Sequence, residues 1–206
     1  MKVYDVPGFP NPARVRSARA EKGALDAAVF VPVDVMGGEH RKDAFLAKNP
    51  DGAVPVLELE CGTCISECTA ITEYLDHAYG APSLTGKTPK DRAQIHMMNR
   101  RAEAGLLDAV GAYFHHATPG LGPDLETNQN AAWGEAQKLR AQKTMVYLND
   151  VLSRREYLAG DSFSMADITA FAGLGFADFA KVDIASDLTH LHAWCARIAA
   201  RPSCAA

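Results

Sequence analysis

The chain lacks an apolar run long enough to cross a membrane. Its longest nearly uncharged stretch covers residues 168–177, whereas a membrane-spanning helix needs about 20 apolar residues. An excess of positive charge is also missing, and a net charge of −4 gives no electrostatic reason to expect nucleic acid or acidic lipid as a partner. The N-terminus has no long apolar segment of the kind found in secretory signals. We therefore expect a cytoplasmic protein.

A disulfide framework is not indicated either, because five cysteines are an odd number and fit reduced thiols better. Cys61, Cys64 and Cys68 lie close together in the sequence, and the first two have the C-x-x-C spacing of redox and metal sites. They flank a predicted hairpin turn rather than a helix N-terminus, where a thiolate would be stabilised, and no second ligand pair completes a zinc site. We predict no metal and keep cysteine redox chemistry as an alternative.

The first 80 residues alternate between strand and helix patterns. The predicted order is strand, helix, strand, helix, strand, strand, helix, and it is similar to a thioredoxin-like fold with a mixed sheet between helices. Residues 7–12 contain three prolines and a glycine, so we predict a loop there and expect the first helix to begin at Ala13. Val15 and Ala18 should face the core, and Gly23 should end this helix.

Residues 81–88 are predicted to be a linker, since the stretch around them is rich in turn formers. From residue 89 to residue 206 helical periodicity replaces strand patterns, which predicts an all-helical domain. A long helix is predicted from Pro89 to His116 and a second from Asn130 to Arg154. Leu139, Met145 and Leu148 should form part of the apolar face of the second helix.

A capping box is predicted at Ser164, three residues before Asp167 and at the start of an apolar run. A buried Asp near a helix start could also be a catalytic carboxylate. The structural interpretation is favoured, because the Asp side chain can bond the N–H groups of its own first turn.

The stretch from Ala53 to Ile71 carries the strongest functional signal. Pro55 heads a predicted strand, where it cannot donate to the sheet and a cis bond is feasible. Val54 before it should be extended, with its backbone N–H and C=O open to an extended peptide-like ligand. After a hairpin, Glu67 and Cys68 open a helix whose N-terminus suits a carboxylate beside an ammonium. These features favour a small zwitterionic peptide as ligand.

This stretch resembles the glutathione-binding strand and helix of the cytosolic glutathione transferases, which have Val-Pro, a hairpin, then Glu-Ser and a helix. The resemblance covers almost the whole chain and implies a thioredoxin-like domain over residues 1–80, followed by a helical domain that binds the electrophile. It also implies glutathione as co-substrate, a homodimer and a detoxification-type conjugation.

Carried over by position, the resemblance implies that the backbone of Val54, beside Pro55, pairs with the cysteinyl part of glutathione. Glu67 would face the γ-glutamyl ammonium, and the helix start at Cys68 would take the γ-glutamyl carboxylate. Cys68 stands where the family usually has Ser, and a thiol is the weaker hydrogen-bond donor. His40, with Arg41 or Lys42 nearby, resembles the theta-type residue that holds the glycyl carboxylate; the alternative is a solvated loop histidine.

The family's Tyr, Ser or Cys, which stabilises the glutathione thiolate, is missing after the first strand. Phe9 stands at that position and cannot donate a hydrogen bond. Asn11 carries an amide N–H that could reach the sulfur, although Asn beside Pro is also a common turn residue. The chain resembles a fungal and bacterial subfamily that is thought to use a water held by helical-domain side chains, for which His115 and His116 are candidates. A histidine at a helix C-terminus is also favourable to the helix dipole.

Three functions remain open from the sequence. The first is conjugation of glutathione to a small apolar electrophile, with Phe9, Tyr113 and Phe114 as candidate walls of the electrophile site. The second is a glutathione-dependent thiol reductase or peroxidase that uses the cysteines. The third is a non-catalytic glutathione-binding module, which the missing hydroxyl would allow. The sequence does not identify the electrophile, because fold does not fix function.

Overall fold

The computed structural model describes residues 1–204, and these form two compact units. The first contains residues 1–84 together with residues 202–204, and the second contains residues 85–201. The first unit is built from strands and helices and the second from helices. This confirms the predicted fold class, a thioredoxin-like domain followed by a helical domain.

The first unit is organised around a mixed sheet of four strands. These strands are β1 (Lys2–Asp5), β2 (Val29–Pro32), β3 (Val56–Glu58) and β4 (Cys64–Ile65). Their order is β2-β1-β3-β4, and β1 runs parallel to β2 and antiparallel to β3. Val3 on β1 lies opposite Phe30 and Leu57. Val3 and Leu57 are fully buried, so the centre of the sheet is the core of this unit.

The helices of the first unit are α1 (Pro10–Glu21), α2 (Asp43–Leu46) and α3 (Cys68–Tyr79), with short 3₁₀ turns at Leu25–Ala27, Glu39–Arg41 and Pro202–Cys204. Val15 and Ala18 of α1 are fully buried, as predicted. Ile71 and Leu75 of α3 are buried in the same way. Ala70, the residue before Ile71, is exposed.

The loop predicted over residues 7–12 is wrong, because α1 begins at Pro10. Phe9 is its N-cap residue, with extended backbone angles. Proline is tolerated in the first turn of a helix, where its missing N–H would have no partner within the helix. Pro10 and Pro12 both lie in that turn. Asn11 is consequently a helical residue and not part of a turn.

A buried lysine connects α1 to the end of α3 and to the segment that follows it. The side chain of Lys22 is fully buried and lies 2.8 Å from Oδ1 of Asp76. Its Nζ also donates to the carbonyl oxygens of Gly80 and Pro82. The same Asp76 oxygen accepts from the backbone N–H of Leu84 at 2.8 Å. The end of the first unit is therefore held by one ion pair and the backbone groups around it.

The second unit contains α4 (Pro89–Ala102), α5 (Asp108–Ala117), α6 (Ala131–Leu152), α7 (Met165–Phe179) and α8 (Thr189–Ala199). The long first helix that we predicted is divided, because the π-helical segment Glu103–Leu107 separates α4 from α5. The apolar stripe still continues through it, since Met98, Leu106 and Ala109 are all buried. None of the described helices is long and apolar enough to span a membrane.

Helix α6 begins after its N-cap residue Asn130, close to the prediction. Met145 and Leu148 are buried, as predicted from their spacing. Leu139 is 59% exposed, so its predicted inward position is wrong. In the sequence its apolar character fitted the helical period, but Leu139 does not lie on the buried face of α6.

The capping box at the start of α7 is present, with Ser164 as the N-cap residue and Asp167 in the third position. The Asp167 carboxylate is fully buried and accepts from Ser164, from the N–H of Leu158 and from the indole of Trp194. Burial raises the pKa of Asp167 to about 6, while these donors act in the opposite direction. Asp167 therefore has a structural role, as the sequence indicated.

Candidate functional site

Asn11 and Cys68 come together in the first unit, where the first turn of α1 meets the start of α3. The Cys68 thiol lies 3.4 Å from the backbone oxygen of Asn11 and is nearly buried. Arg14, one turn further along α1, donates from Nη1 to Oδ1 of Asn11 at 2.9 Å. Because Oδ1 accepts from the guanidinium, the amide Nδ2 is the end of Asn11 that can donate to a ligand.

Val54 and Pro55 lie immediately before β3, and the bond between them is cis. Pro55 is buried and Val54 is half-buried. Within residues 1–204 neither the N–H nor the C=O of Val54 forms a hydrogen bond. The segment before them is fixed by Asn49, whose Nδ2 donates to the carbonyl of Ala53 at 2.8 Å. The backbone of Val54 is thus held in place with its polar groups available to an extended ligand.

Glu67 is the N-cap residue of α3 and has a positive φ of 68°. A non-glycine residue rarely adopts this conformation, and such residues cluster at functional sites. Its side chain is exposed. An exposed carboxylate at the start of a twelve-residue helix places a negative charge beside the positive end of the helix dipole. Such a pair can bind an ammonium and a carboxylate on one ligand.

His40 and Lys42 lie on the 3₁₀ turn and at the N-cap position of α2, respectively. The Nδ1 atom of His40 is buried and has no hydrogen-bond partner among residues 1–204. Burial, and to a smaller extent Arg41, lowers the pKa of His40. The lowered pKa favours the neutral ring, which can donate one hydrogen bond. Lys42 is exposed and can add a positive charge.

His115 and His116 occupy the last turn of α5 in the second unit, and the loop that follows holds each of them differently. Nδ1 of His115 lies 2.6 Å from Oε1 of Glu126. Nδ1 of His116 accepts from the backbone N–H of Asn130 at 3.1 Å. Because an N–H group can only donate, the proton of a neutral His116 must be on Nε2. The two adjacent histidines therefore have different hydrogen-bonding roles.

Phe114 belongs to a cluster of aromatic rings formed by α5 and α7. Its ring centroid lies 5.4 Å from that of Phe176 and 5.7 Å from that of Phe179. Phe179 is 67% exposed, so the cluster reaches the surface of the second unit. Tyr113 faces a different neighbour, since Nζ of Lys138 lies 4.8 Å from its ring centroid. Phe114, Phe176 and Phe179 together offer an apolar aromatic surface.

Cys61 and Cys64 are free thiols around the turn between β3 and β4. Cys61 is exposed, and its hydrogen bond with Thr63, at 3.3 Å, lowers the pKa of the thiol. Within the described chain no group of three or more His, Cys, Asp or Glu side chains could hold a metal ion.

Two family models match this chain. The N-terminal domain of glutathione S-transferases matches residues 3–83, and the C-terminal domain matches residues 108–202. The chain belongs to the glutathione S-transferase family. It is therefore an enzyme of the transferase type that uses glutathione as co-substrate.

Individual relatives agree with this assignment along nearly the whole chain. Glutathione S-transferase 2 of Saccharomyces cerevisiae is 56% identical over 203 residues, which cover 98% of this chain and 87% of the yeast protein. The crystal structure of yeast Gtt2 superposes with a TM-score of 0.98 at 55% identity, covering 100% of this chain and 99% of that one. A glutathione S-transferase domain-containing protein of Marinobacter aquaeolei VT8 gives a TM-score of 0.98 at 69% identity, covering 99% and 100%.

Sequence reasoning did not identify four residues around these groups: Arg14, Glu126, Phe176 and Phe179. Arg14 lies three residues after Asn11, so helical spacing could have suggested their contact if the start of α1 had been predicted correctly. Glu126 belongs to an irregular loop, and no periodic pattern points to it. Phe176 closes the apolar run of α7, which we interpreted as core.

Proposed function

We propose that this glutathione transferase conjugates glutathione to small apolar electrophiles in a detoxification-type reaction. The thiol of glutathione loses its proton, and the resulting thiolate attacks an electrophilic carbon. A carbon–sulfur bond forms as the bond to the leaving group breaks, and the leaving group departs with the bonding electrons. The proton passes to a base on the protein and then to solvent.

Glutathione would bind to the first unit as a short extended strand. The N–H and C=O of Val54, next to Pro55, would pair with the cysteinyl part of the peptide. The exposed carboxylate of Glu67 would bind the γ-glutamyl ammonium, and the N-terminus of α3 at Cys68 would bind the adjacent carboxylate. His40 and Lys42 would hold the glycyl carboxylate. The unpaired backbone of Val54 supports this arrangement.

Asn11 is the proposed donor to the sulfur in place of the family's hydroxyl group. The observation that carries this proposal is the hydrogen bond from Arg14 to Oδ1 of Asn11, because it leaves Nδ2 as the donating end of the amide. A hydrogen bond to the thiolate stabilises the ionised form of glutathione. Phe9, the N-cap residue of α1, would contribute apolar surface and no proton.

His115 is the proposed acceptor of the thiol proton, and His116 is not. A neutral His116 already uses Nδ1 as an acceptor and carries its proton on Nε2, so it can donate there but not accept. His115 has a carboxylate at Nδ1, which leaves Nε2 available as a base. Replacing each histidine by alanine should reduce kcat strongly for His115 and much less for His116.

The electrophile is proposed to be a small apolar, preferably aromatic, compound. Aromatic rings favour contacts with other rings at their faces and edges. Phe114, Phe176 and Phe179 supply such rings in the second unit, and Tyr113 on the same helix extends this surface. Halogenated nitroarenes with an increasing number of fused rings, compared by kcat/KM, would define the preference.

The first experiment is to measure the ultraviolet absorbance of the glutathione thiolate as a function of pH, with and without the protein. Bound glutathione should ionise well below the pH at which the free thiol does, and Asn11→Ala should move this transition back towards the free value. Saturable binding without the shift would contradict conjugation and favour a binding module. Absence of binding would contradict the site at Val54, Glu67 and Cys68.

A glutathione-dependent thiol reductase is the second candidate, because the pKa of the exposed Cys61 thiol is lowered. The double variant Cys61→Ser/Cys64→Ser separates the two functions. Conjugation of an aromatic electrophile should be unchanged in this variant, whereas disulfide reduction should be lost if these thiols carry it. Loss of conjugation would contradict the proposed mechanism.

We further propose that the chain acts as a homodimer, as its family generally does. The mass of the purified protein from sedimentation equilibrium should be twice that of one 206-residue chain. A mass equal to one chain would contradict this.

A further inference from the structure

The loop after α5 folds back onto the end of that helix and is fixed there by several hydrogen bonds. Nε2 of Gln129 donates to the carbonyl oxygens of His115 and Thr118, at 2.9 and 2.6 Å. Oε1 of Glu126 accepts from the backbone N–H of Leu121 at 2.9 Å. Glu126 is therefore held by its own loop before its contact with His115 is considered.

The same carboxylate oxygen is the one that meets His115. Oε1 of Glu126 lies 2.6 Å from Nδ1 of His115, and the Glu126 side chain is 12% exposed against 42% for His115. Gly120 leaves the space that the carboxylate occupies, because a Cβ atom there would lie 2.5 Å from Oε1. The positive φ of Gly120, 55°, lets the chain turn at this point. The loop thus brings a largely buried anion against one defined nitrogen.

An ionised carboxylate can only accept hydrogen bonds, so the proton of the His115 ring must be on Nδ1. In the neutral ring this leaves Nε2 with its lone pair, and Nε2 is the nitrogen that can take a proton. When it does so, the imidazolium remains hydrogen-bonded to a negative charge. This is the general arrangement in which a carboxylate orients a histidine base and stabilises its charged form.

We infer that Glu126 is a positioning residue for the transferase reaction. Its carboxylate holds the His115 proton on Nδ1, and this makes His115 a base that accepts a proton at Nε2. This inference rests on the proposed role of His115. Glu126 acts through the imidazole of His115, whose Nδ1 it meets. Nε2 takes up the proton and releases it to solvent, and Nδ1 keeps its proton throughout.

Two substitutions separate the charge of Glu126 from its shape. In Glu126→Gln the amide oxygen can still accept from Leu121 and from Nδ1 of His115, but it carries no charge, so we expect kcat to fall about tenfold. In Glu126→Ala the orientation is lost as well, and we expect a fall of about 100-fold. The KM for glutathione should change less than about twofold in both, since binding groups are untouched. A wild-type kcat in Glu126→Gln would overturn the inference.

Two controls exclude a merely structural effect. Asp124→Asn removes one negative charge from an exposed position in the same loop and should leave kcat unchanged. Gln129→Ala removes another side chain that anchors the loop but leaves the contact between Glu126 and His115. If Gln129→Ala lowered kcat as much as Glu126→Ala, the role of Glu126 would be to hold the loop, and the inference would be wrong.

Nitrogen NMR of histidine-labelled protein tests the inference without relying on activity. Neutral His115 should show a protonated Nδ1 and an unprotonated Nε2 in the wild type, and Glu126→Ala should give a mixture of both tautomers. A wild-type ring protonated on Nε2 would overturn the inference directly. The His115→Ala variant assigns the signal.

The double variant His115→Ala/Glu126→Gln distinguishes this inference from the proposed function. If Glu126 acts through His115, the second substitution should have no further effect once the imidazole is absent. Full activity in His115→Ala would contradict the proposed base itself. Low activity in His115→Ala together with wild-type activity in Glu126→Gln would leave the base intact and refute the role of Glu126.

Discussion

Replacing Lys22 by methionine should destabilise the protein more than a change at any exposed lysine. The substitution keeps the length and apolar stem of the side chain but removes the ammonium. Asp76 would then retain a buried negative charge, 7% exposed in the side chain, without the Lys22 ammonium. The carbonyl oxygens of Gly80 and Pro82 would lose a donor at the same time.

The expected magnitude follows from the burial of both partners. Removing one member of a buried ion pair costs about 3–5 kcal/mol, because the remaining charge is left uncompensated. For a chain of this size each kcal/mol lowers Tm by roughly 2–4 °C, so the loss should be roughly 6–20 °C. The pair itself need not be a large net source of stability, since much of its attraction offsets the cost of desolvating two charges.

Urea denaturation followed by circular dichroism measures this difference as a change in the free energy of unfolding. Lys90→Met, at an exposed position of α4, is the matched control and should change it by less than about 0.5 kcal/mol. Asp76→Asn in the Lys22→Met background removes the buried negative charge and keeps an acceptor for Leu84, so it should recover about 1 kcal/mol or more. A Lys22→Met variant within about 1 kcal/mol of the wild type, or no recovery in the double variant, would refute the argument.

Three further predictions concern the candidate site and the sheet. Cys68→Ser should lower the Kd for glutathione about three- to tenfold by calorimetry, because a hydroxyl group donates a stronger hydrogen bond than a thiol; weaker binding would contradict the role of Cys68. Phe179→Ser should raise the KM for an aromatic electrophile about tenfold with an unchanged KM for glutathione, whereas Leu139→Ser, at a similarly exposed apolar position, should change neither. The pKa of Glu58 is lowered to about 2 by its contacts with Lys48, Tyr4 and Lys2, which is below its value in the unfolded chain. The stabilisation from Glu58 should therefore be complete above about pH 5 and decline as the pH falls from about 4 to 2. In denaturation at several pH values, wild type and Glu58→Gln should converge over that range, and a constant difference would refute this assignment.

The order of elements could be predicted because each carries a local signal. Alternating patterns and turn residues identify the strands, and the buried positions Met145 and Leu148 follow the helical period. The start of α1 could not be predicted by counting prolines, since Pro10 and Pro12 fall in the one turn where they cost no hydrogen bond. The exposure of Leu139 depends on which face of α6 is covered, and this is decided by tertiary packing.

The candidate glutathione site was predictable for a similar reason. Val54, Pro55, Glu67 and Cys68 lie within one short stretch of sequence, so a local motif contains most of the site. The roles of His115 and His116, by contrast, could not be predicted from a local motif. They are adjacent and identical in type, and their roles are separated by Glu126 and Asn130, which are 11 and 14 positions away in an irregular loop.

The two tryptophans of the chain lie in contrasting surroundings. Trp194 is 1% exposed and donates its indole N–H to Asp167, whereas Trp133 is 51% exposed, and its backbone N–H bonds the side chain of Asn130 at the end of the loop that holds both histidines. Iodide in solution will therefore quench the emission of Trp133 and leave that of Trp194. The wild-type protein thus contains two separate optical reporters, one for the loop and one for the helical core.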